Sequence, residues 1–124
     1  METDLRSFEA DDLLSWLEMN SLEEFDQLQF GLITMNRTGD VIGYNTFESS
    51  RAGIPAEKVL GHNFFDSVGM CTNNYLVAQR YLDEPELDDQ IDYVSTLRMA
   101  PTPVRLRMMA RRGSTRQYLA VRNR

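Results

Sequence analysis

Between residues 45 and 82 the chain never holds a helical period for more than about two turns before Asn, Pro or Gly interrupts it. Asn45 caps a brief segment carrying Thr46, Phe47 and Glu48. Pro55 suits the first turn of a second segment, which Gly61 ends, and Asn63 caps a third holding Phe64, Phe65 and Val68. A longer helix is expected over residues 74–82, closed by Pro85. On both sides of this stretch the period changes to two. Residues 30–35 read as a strand, 36–40 as a turn containing Gly39, and 41–44 as the returning strand of a hairpin. Later, Ile91, Tyr93, Ser95 and Leu97 alternate with Asp92, Val94, Thr96 and Arg98. Val104, Leu106 and Met108 alternate with Arg105, Arg107 and Met109, which predicts one buried and one wet face. A turn at residues 111–114 then leads into a last strand over 118–121.

Ahead of the hairpin, Asp11 and Asp12 open a short helix with Leu13, Leu14, Trp16 and Leu17 at helical spacing. Ser21 and Glu24 have the form of a capping box for a second. Two helices, a hairpin, a run of short helices and three strands make an α+β domain. Its antiparallel sheet is expected to carry helices on one side. A chain of 124 residues holds one such domain.

Charge is distributed unevenly along this order. Residues 1–30 hold nine acidic side chains and one basic one, Arg6, whereas residues 98–124 hold eight arginines and no acid. The two ends are expected to attract, with the acidic segment lying over a basic sheet face; a phosphate or nucleic-acid patch is the competing account. The net charge of −6 argues against nucleic acid as a main partner. No stretch has the roughly 18 apolar residues of a membrane span. The acidic start does not resemble a secretory signal, so the expected location is cytoplasmic.

Chemistry has few addresses. With one His and one Cys, no metal site of recognisable spacing is present, and neither phosphate-loop glycine pattern occurs. Cys71 precludes an internal disulfide and is the only place for thiol chemistry. His62 follows a helix-ending glycine, which places it on the surface rather than beside Cys71 as a base, so no catalytic residue is assigned. Tyr44 and Glu48 are four apart, and a helical turn starting near Asn45 would set both on one face. A phenol and a carboxyl so placed can hold a ligand oxygen. Apolar company from Ile33, Phe47, Phe64, Val68 and Met99 would keep the carboxyl protonated.

Four segments carry a resemblance: Gly43-Tyr44-Asn45-x-x-Glu48, residues 59–65, Val68-x-x-Cys71-Thr72, and Met99-x-Pro101-Thr102-Pro103-Val104. Together they resemble the photoactive yellow protein family of blue-light receptors, whose fold is the PAS fold, a central antiparallel sheet flanked by short helices. The resemblance implies p-coumaric acid (4-hydroxycinnamic acid) joined as a thioester to Cys71. It implies that Tyr44 and Glu48 hydrogen-bond the phenolic oxygen, held as a phenolate, and that Ile33, Phe64, Val68 and Met99 line the pocket. Residues 1–28 would form a helical cap over a chromophore-binding core of residues 29–124. Ala52 stands where the family has a supporting threonine, and Ile54 where it has the arginine over the pocket, with Arg51 close by. Ser95 and Leu97 replace pocket aromatics. One lost hydroxyl weakens the network by about 1 kcal/mol.

On this reading Cys71 is a tether, the chain is not an enzyme, and light isomerises the chromophore from trans to cis. Glu48 then gives up its proton, and a buried carboxylate without a partner destabilises the fold and loosens the cap. The expected partner is an unidentified downstream signalling protein, reached without nucleic acid or membrane by a monomer or weak dimer. Two other readings stay open: a PAS-like sensor or protein-interaction module without this chromophore, and a redox sensor using Cys71.

Overall fold

The computed structural model describes residues 6–96 and 100–124. Five antiparallel strands form one sheet: β1 (Gly31–Asn36), β2 (Val41–Tyr44), β3 (Leu87–Ser95), β4 (Thr102–Ala110) and β5 (Arg116–Asn123), in the order β2-β1-β5-β4-β3. The β1–β2 hairpin turns where Asn36 accepts from the Thr38 and Asp40 amides and Gly39 takes a φ of +93°, a conformation a side chain would strain. The last strand enters the middle of the sheet, pairing Ile33 with Leu119 on one side and Leu106 with Val121 on the other. The two ends of the fold are thereby locked together.

Both faces of this sheet are buried, which overturns the expectation of a wet face and of helices on one side only. Ile33, Met108 and Leu119 pack under Phe64, Val77 and Tyr81 from the connecting segments. On the opposite face Met109, Tyr118 and Ala120 pack against Leu13 and Leu17 of helix α1 (Leu13–Met19) and against Phe25. Phe25 belongs to a 3-10 turn, Leu22–Gln27, closed by the capping box of Ser21 and Glu24. A charged residue in the alternation did not mean water. Arg107 is buried and forks onto Asp88 at 2.8 and 2.9 Å. It also donates to the Phe8 and Ala10 carbonyls of the N-terminal segment. Arg116 donates to the carbonyls of Leu17 and Asn20, and Arg122 reaches Glu9. The acidic and basic ends do meet, and much of the joint is arginine to backbone oxygen rather than ion to ion.

Helix α2 (Thr46–Ala52) begins at Asn45, whose side chain accepts from the Glu48 amide as an N-cap. That same side chain accepts from the Leu32 amide and donates to the Phe25 and Phe30 carbonyls. One buried amide therefore ties β1, α2 and the N-terminal turns together. Pro55 precedes a 3-10 turn, Ala56–Lys58, and Asn63 caps a single π-helical turn, Phe64–Val68. The helix expected over residues 74–82 is shorter: α3 spans Ala78–Asp83, because the Asn74 side chain accepts from the Leu76 and Val77 amides and makes a turn there. Among the described residues no helix is long and apolar enough to cross a membrane.

Candidate functional site

Glu48 and Cys71 line one narrow cleft on the face of the sheet opposite the N-terminal segment. Its floor is Ile33 of β1 with Leu106, Leu119 and Val121 from β4 and β5. Its walls are Phe64 from the π turn, Tyr93 and Ser95 from β3, and Glu48 with Arg51 from α2. Its open interior is about 20 Å³, room for about one water, so a small molecule bound there has to displace its walls.

The carboxyl of Glu48 is 1% exposed and lies over Gly31, where an added Cβ would come within 2.0 Å of its Oε1. Only glycine leaves that space. Gly31→Ala should therefore push Glu48 out of place and cost about 1–3 kcal/mol, seen as a lower urea midpoint. A second arm, Gly31→Ala with Glu48→Ala, should recover part of that loss, and no recovery would refute the clash.

Arg51 holds the carboxylate. Its Nε donates to Oε1 at 2.8 Å and its Nη2 to Oε2 at 2.7 Å, a two-pronged pair with the guanidinium side chain itself 7% exposed. A further bond from Nη1 to Asn123 Oδ1, 3.1 Å, ties this arginine to the end of β5. Burial holds the Glu48 carboxyl above its ordinary value, opposed only in part by the hydrogen bonds and charge of Arg51. Tyr44 is half-buried beside this pair, and its phenol is pushed well above its usual range by burial first and by the Glu48 charge second. Tyr44 and Glu48 do not share a helical face. Tyr44 ends β2, and Asn45 between them is extended, with φ −76° and ψ 164°.

Cys71 sits half-buried in a 3-10 turn, Met70–Thr72, with a free thiol. Two neighbours fix its backbone: the Tyr93 hydroxyl donates to the Cys71 carbonyl at 2.5 Å, and Asn74 Nδ2 donates to the same carbonyl at 3.2 Å and to the Tyr93 hydroxyl at 2.7 Å. The Thr72 hydroxyl donates to the Gly69 carbonyl at 2.6 Å. Gly69 itself is required, since a Cβ there would meet the Phe64 ring at 2.4 Å. Tyr93→Phe should loosen the turn at a cost of about 1 kcal/mol and raise the rate at which an uncharged thiol reagent labels Cys71. An unchanged labelling rate would show that Tyr93 does not position this turn.

Of the residues expected to form a pocket, the structure brings Ile33, Glu48, Phe64 and Cys71 onto the cleft. Tyr44, Ile54 and Val68 pack partly buried against the same apolar cluster, and Ala52 is buried on α2. Met99 and Leu97 lie outside the described residues. Phe47 is exposed, as is His62. The roles of Arg51, Tyr93 and Asn74 were not read from the sequence. Two signals point to the first of them: its i,i+3 spacing from Glu48 and its place close to the position of the family's pocket arginine.

A five-stranded antiparallel sheet, short connecting helices on one face and a small cleft between them are the architecture of a PAS domain. The PAS domain of an HTR-like protein from Haloarcula marismortui superposes with a TM-score of 0.65 at 14% identity, over 93% of this chain and all of that one, which speaks for the fold alone. A nearer match is the photoactive yellow protein domain of the sensor histidine kinase Ppr from Rhodospirillum centenum. Its TM-score is 0.79 at 32% identity, over 90% of this chain and 100% of that domain. The photoactive yellow protein of Halochromatium salexigens is 32% identical over 104 residues, 82% of this chain and 83% of that protein. That of Rhodothalassium salexigens is 29% identical over 104 residues, with the same shares. No family model matches the chain. By these relatives the chain belongs to the photoactive yellow protein family.

Proposed function

We propose that this chain is a blue-light receptor carrying p-coumaric acid as a thioester on Cys71. The observation that supports it is the placement of the chain's single thiol and a buried Glu48–Arg51 pair on one apolar cleft. That donor set suits the group: a thiol for the acyl end, apolar walls for the ring, and a carboxyl, a phenol and a guanidinium for an acidic oxygen. Cys71, Tyr44 and Glu48 would hold it, with Ile33, Phe64 and Val68 along its sides. When bound, it supplies absorption of blue light and a double bond that isomerises from trans to cis.

Loading requires the Cys71 thiol to lose its proton to solvent; Sγ then bonds to the acyl carbon of an activated p-coumaroyl donor and the donor's leaving group departs. The thioester is a tether and Cys71 does not turn over, so the chain is not an enzyme. Glu48 holds a proton at its carboxyl in the dark and releases it after illumination. The change of charge on α2 then reaches the N-terminal segment through Asn45, which binds the Glu48 and Leu32 amides and the Phe25 and Phe30 carbonyls together. Residues 1–28 act as the cap over the core of residues 29–124, and its loosening is the signal read by a soluble downstream protein in the cytoplasm. The receptor works as a monomer or weak dimer.

The test is a visible spectrum before and after treatment with p-coumaric anhydride. A new band that bleaches in blue light, recovers in the dark and is absent from Cys71→Ala supports the reading. A colourless, folded protein whose thiol stays free overturns it. That outcome would favour a PAS-like module without this chromophore, the reading that Ala52 and Ile54 suggest.

A further inference from the structure

The sheet face turned away from the cleft is covered by the chain's own N-terminal segment, and arginines hold that cover in place. Arg116 lies over the rings of Phe25 and Tyr118, its guanidinium carbon 5.6 and 5.4 Å from their centres. It donates to the Leu17 and Asn20 carbonyls at 2.6 and 3.2 Å, at the end of helix α1 where the backbone is partially negative. Arg111 donates to the Ser15 hydroxyl at 2.9 Å, and neither it nor Arg116 forms an ion pair among the described residues. Arg107 bonds the Phe8 and Ala10 carbonyls, and Arg122 pairs with Glu9 at 3.0 Å. Between these arginines Leu13 and Leu17, one helical turn apart, pack with Met109, Tyr118 and Ala120. Glu18 accepts from the Ser114 and Tyr118 hydroxyls beside them.

Lifting residues 6–28 would uncover an apolar strip edged by arginines, with Arg111, Arg116 and Arg122 left without a carboxylate at ion-pair distance. Such a face disfavours a basic segment, because like charges meet without compensation. It suits one that repeats the features of the cover: leucines one turn apart, carboxylates beside them and a helix end on Arg116. We propose that this face is a binding site for an acidic amphipathic helix of another protein, and that residues 6–28 occupy it as an internal competitor. The site belongs to the free protein; only its opening by light rests on the chromophore reading above. A tethered segment competes at high effective concentration, so the site stays closed until the docking of residues 6–28 is weakened.

Leu17→Asp, a change on the segment and not on the face, should undock the segment and open the site with no chromophore present. The probe is a fluorescein-labelled designed helical peptide with leucines at four-residue spacing and glutamates between them, alongside a twin with lysine for glutamate. The glutamate peptide should bind the Leu17→Asp chain, and should bind the wild type at least about tenfold more weakly. An unlabelled peptide with the sequence of residues 6–28 should displace it. Adding Arg116→Met should weaken binding at least about tenfold. Arg112→Met, at an exposed arginine of the same turn, should leave it unchanged. Affinity should also fall as salt rises from about 0.05 to about 0.5 M.

Equal binding of the two peptides, or equal losses in Arg116→Met and Arg112→Met, overturns the proposal. So does an absence of binding when new proteolytic cleavage before residue 30 shows that the segment is off the face. A dimer that forms in place of the peptide complex, seen by sedimentation, gives the face to a second copy and overturns it too. Circular dichroism checks that each variant is folded, and Leu13→Ala, which thins the same contact, replaces Leu17→Asp if that variant is not. In the wild type loaded with p-coumaric anhydride, blue light should raise the affinity for the glutamate peptide. If light changes nothing while Leu17→Asp binds as expected, the light-driven loosening of the cap falls and the site stands. If Leu17→Asp does not bind, the site falls whatever the chromophore does.

Discussion

Replacing Arg107 by methionine is expected to lower stability by about 3 kcal/mol and to release the N-terminal segment from the sheet. The guanidinium is buried between β4 and the segment that crosses it, with two bonds to Asp88 and two to the Phe8 and Ala10 carbonyls. Methionine fills much of the volume and makes none of those bonds. Asp88 is 35% exposed and can turn to water, which keeps the cost nearer 3 than 5 kcal/mol. The Phe8 carbonyl is buried and can recover water only if the segment lifts, whereas that of Ala10 is half-buried. For a domain of this size the loss corresponds to a fall of about 10 °C in the melting midpoint. Limited proteolysis should find new cleavage before residue 30. The control is Arg122→Met: that side chain is 42% exposed, stacks over Phe8 and pairs with Glu9, and should cost less than about 1 kcal/mol. Equal melting shifts for the two variants would show that burial of Arg107 is not what holds the segment down.

Arg107 is also the residue at which the sequence reading went astray. Alternation along β4 placed Arg105, Arg107 and Met109 on one face and Val104, Leu106 and Met108 on the other, and that geometry holds. What alternation cannot show is whether a second layer lands on the polar-looking face. Here it does, because Leu13, Leu17 and Phe25 need a surface and the sheet offers Met109, Tyr118 and Ala120. The opposed charges of the two chain ends did register this, since they predicted the contact though not its form. The run of short helical pieces around the site was legible because Asn45, Pro55, Gly61 and Asn63 each act locally, as caps and turn residues that need no tertiary partner.

The site itself was legible only in part. Ile33, Glu48, Phe64 and Cys71 line one cleft. The four-residue spacing of Tyr44 and Glu48 suggests one helical face, and the extended Asn45 cap between them breaks that phase. Arg51, noted only for lying close to the pocket position of Ile54, gave no sign of its pairing with Glu48 for a different reason. A surface arginine three residues after a glutamate is common and weak, and only the tertiary burial of α2 turns this pair into the electrostatic centre of the cleft. Tyr93 likewise looked like one more apolar strand position, and its hydroxyl acts on Cys71 from 22 residues away.

At high pH the fold should fail steeply, losing about 2.5–3 kcal/mol of stability per pH unit above pH ~10 through Tyr81 and Tyr118 alone, with the raised phenol of Tyr44 adding to the slope. Tyr81 and Tyr118 are both buried, and in each burial pushes the phenol far above its ordinary value. The folded chain therefore keeps both protons where the unfolded chain has lost them. A raised folded-state value stabilises fully below the unfolded one, near 10, and that contribution drains away as pH climbs above it. Composition makes the effect clean: Lys58 is the only lysine, and arginines stay charged throughout this range. These two phenols also join the layers of the molecule. Tyr81 of α3 donates to the Tyr118 carbonyl at 2.6 Å, and the Tyr118 hydroxyl donates to Glu18 of α1 at 2.5 Å. Tyr81→Phe should therefore cost about 1 kcal/mol at pH 7 through the lost hydrogen bond. It should also remove roughly 1.4 kcal/mol per unit from the alkaline slope. Wild type and variant are expected to become equally stable near pH ~11, and the variant should be the more stable above it. Urea unfolding at half-unit steps from pH 8 to 11.5 would reveal the crossing. Parallel curves that never meet would place the alkaline sensitivity elsewhere than in these buried phenols.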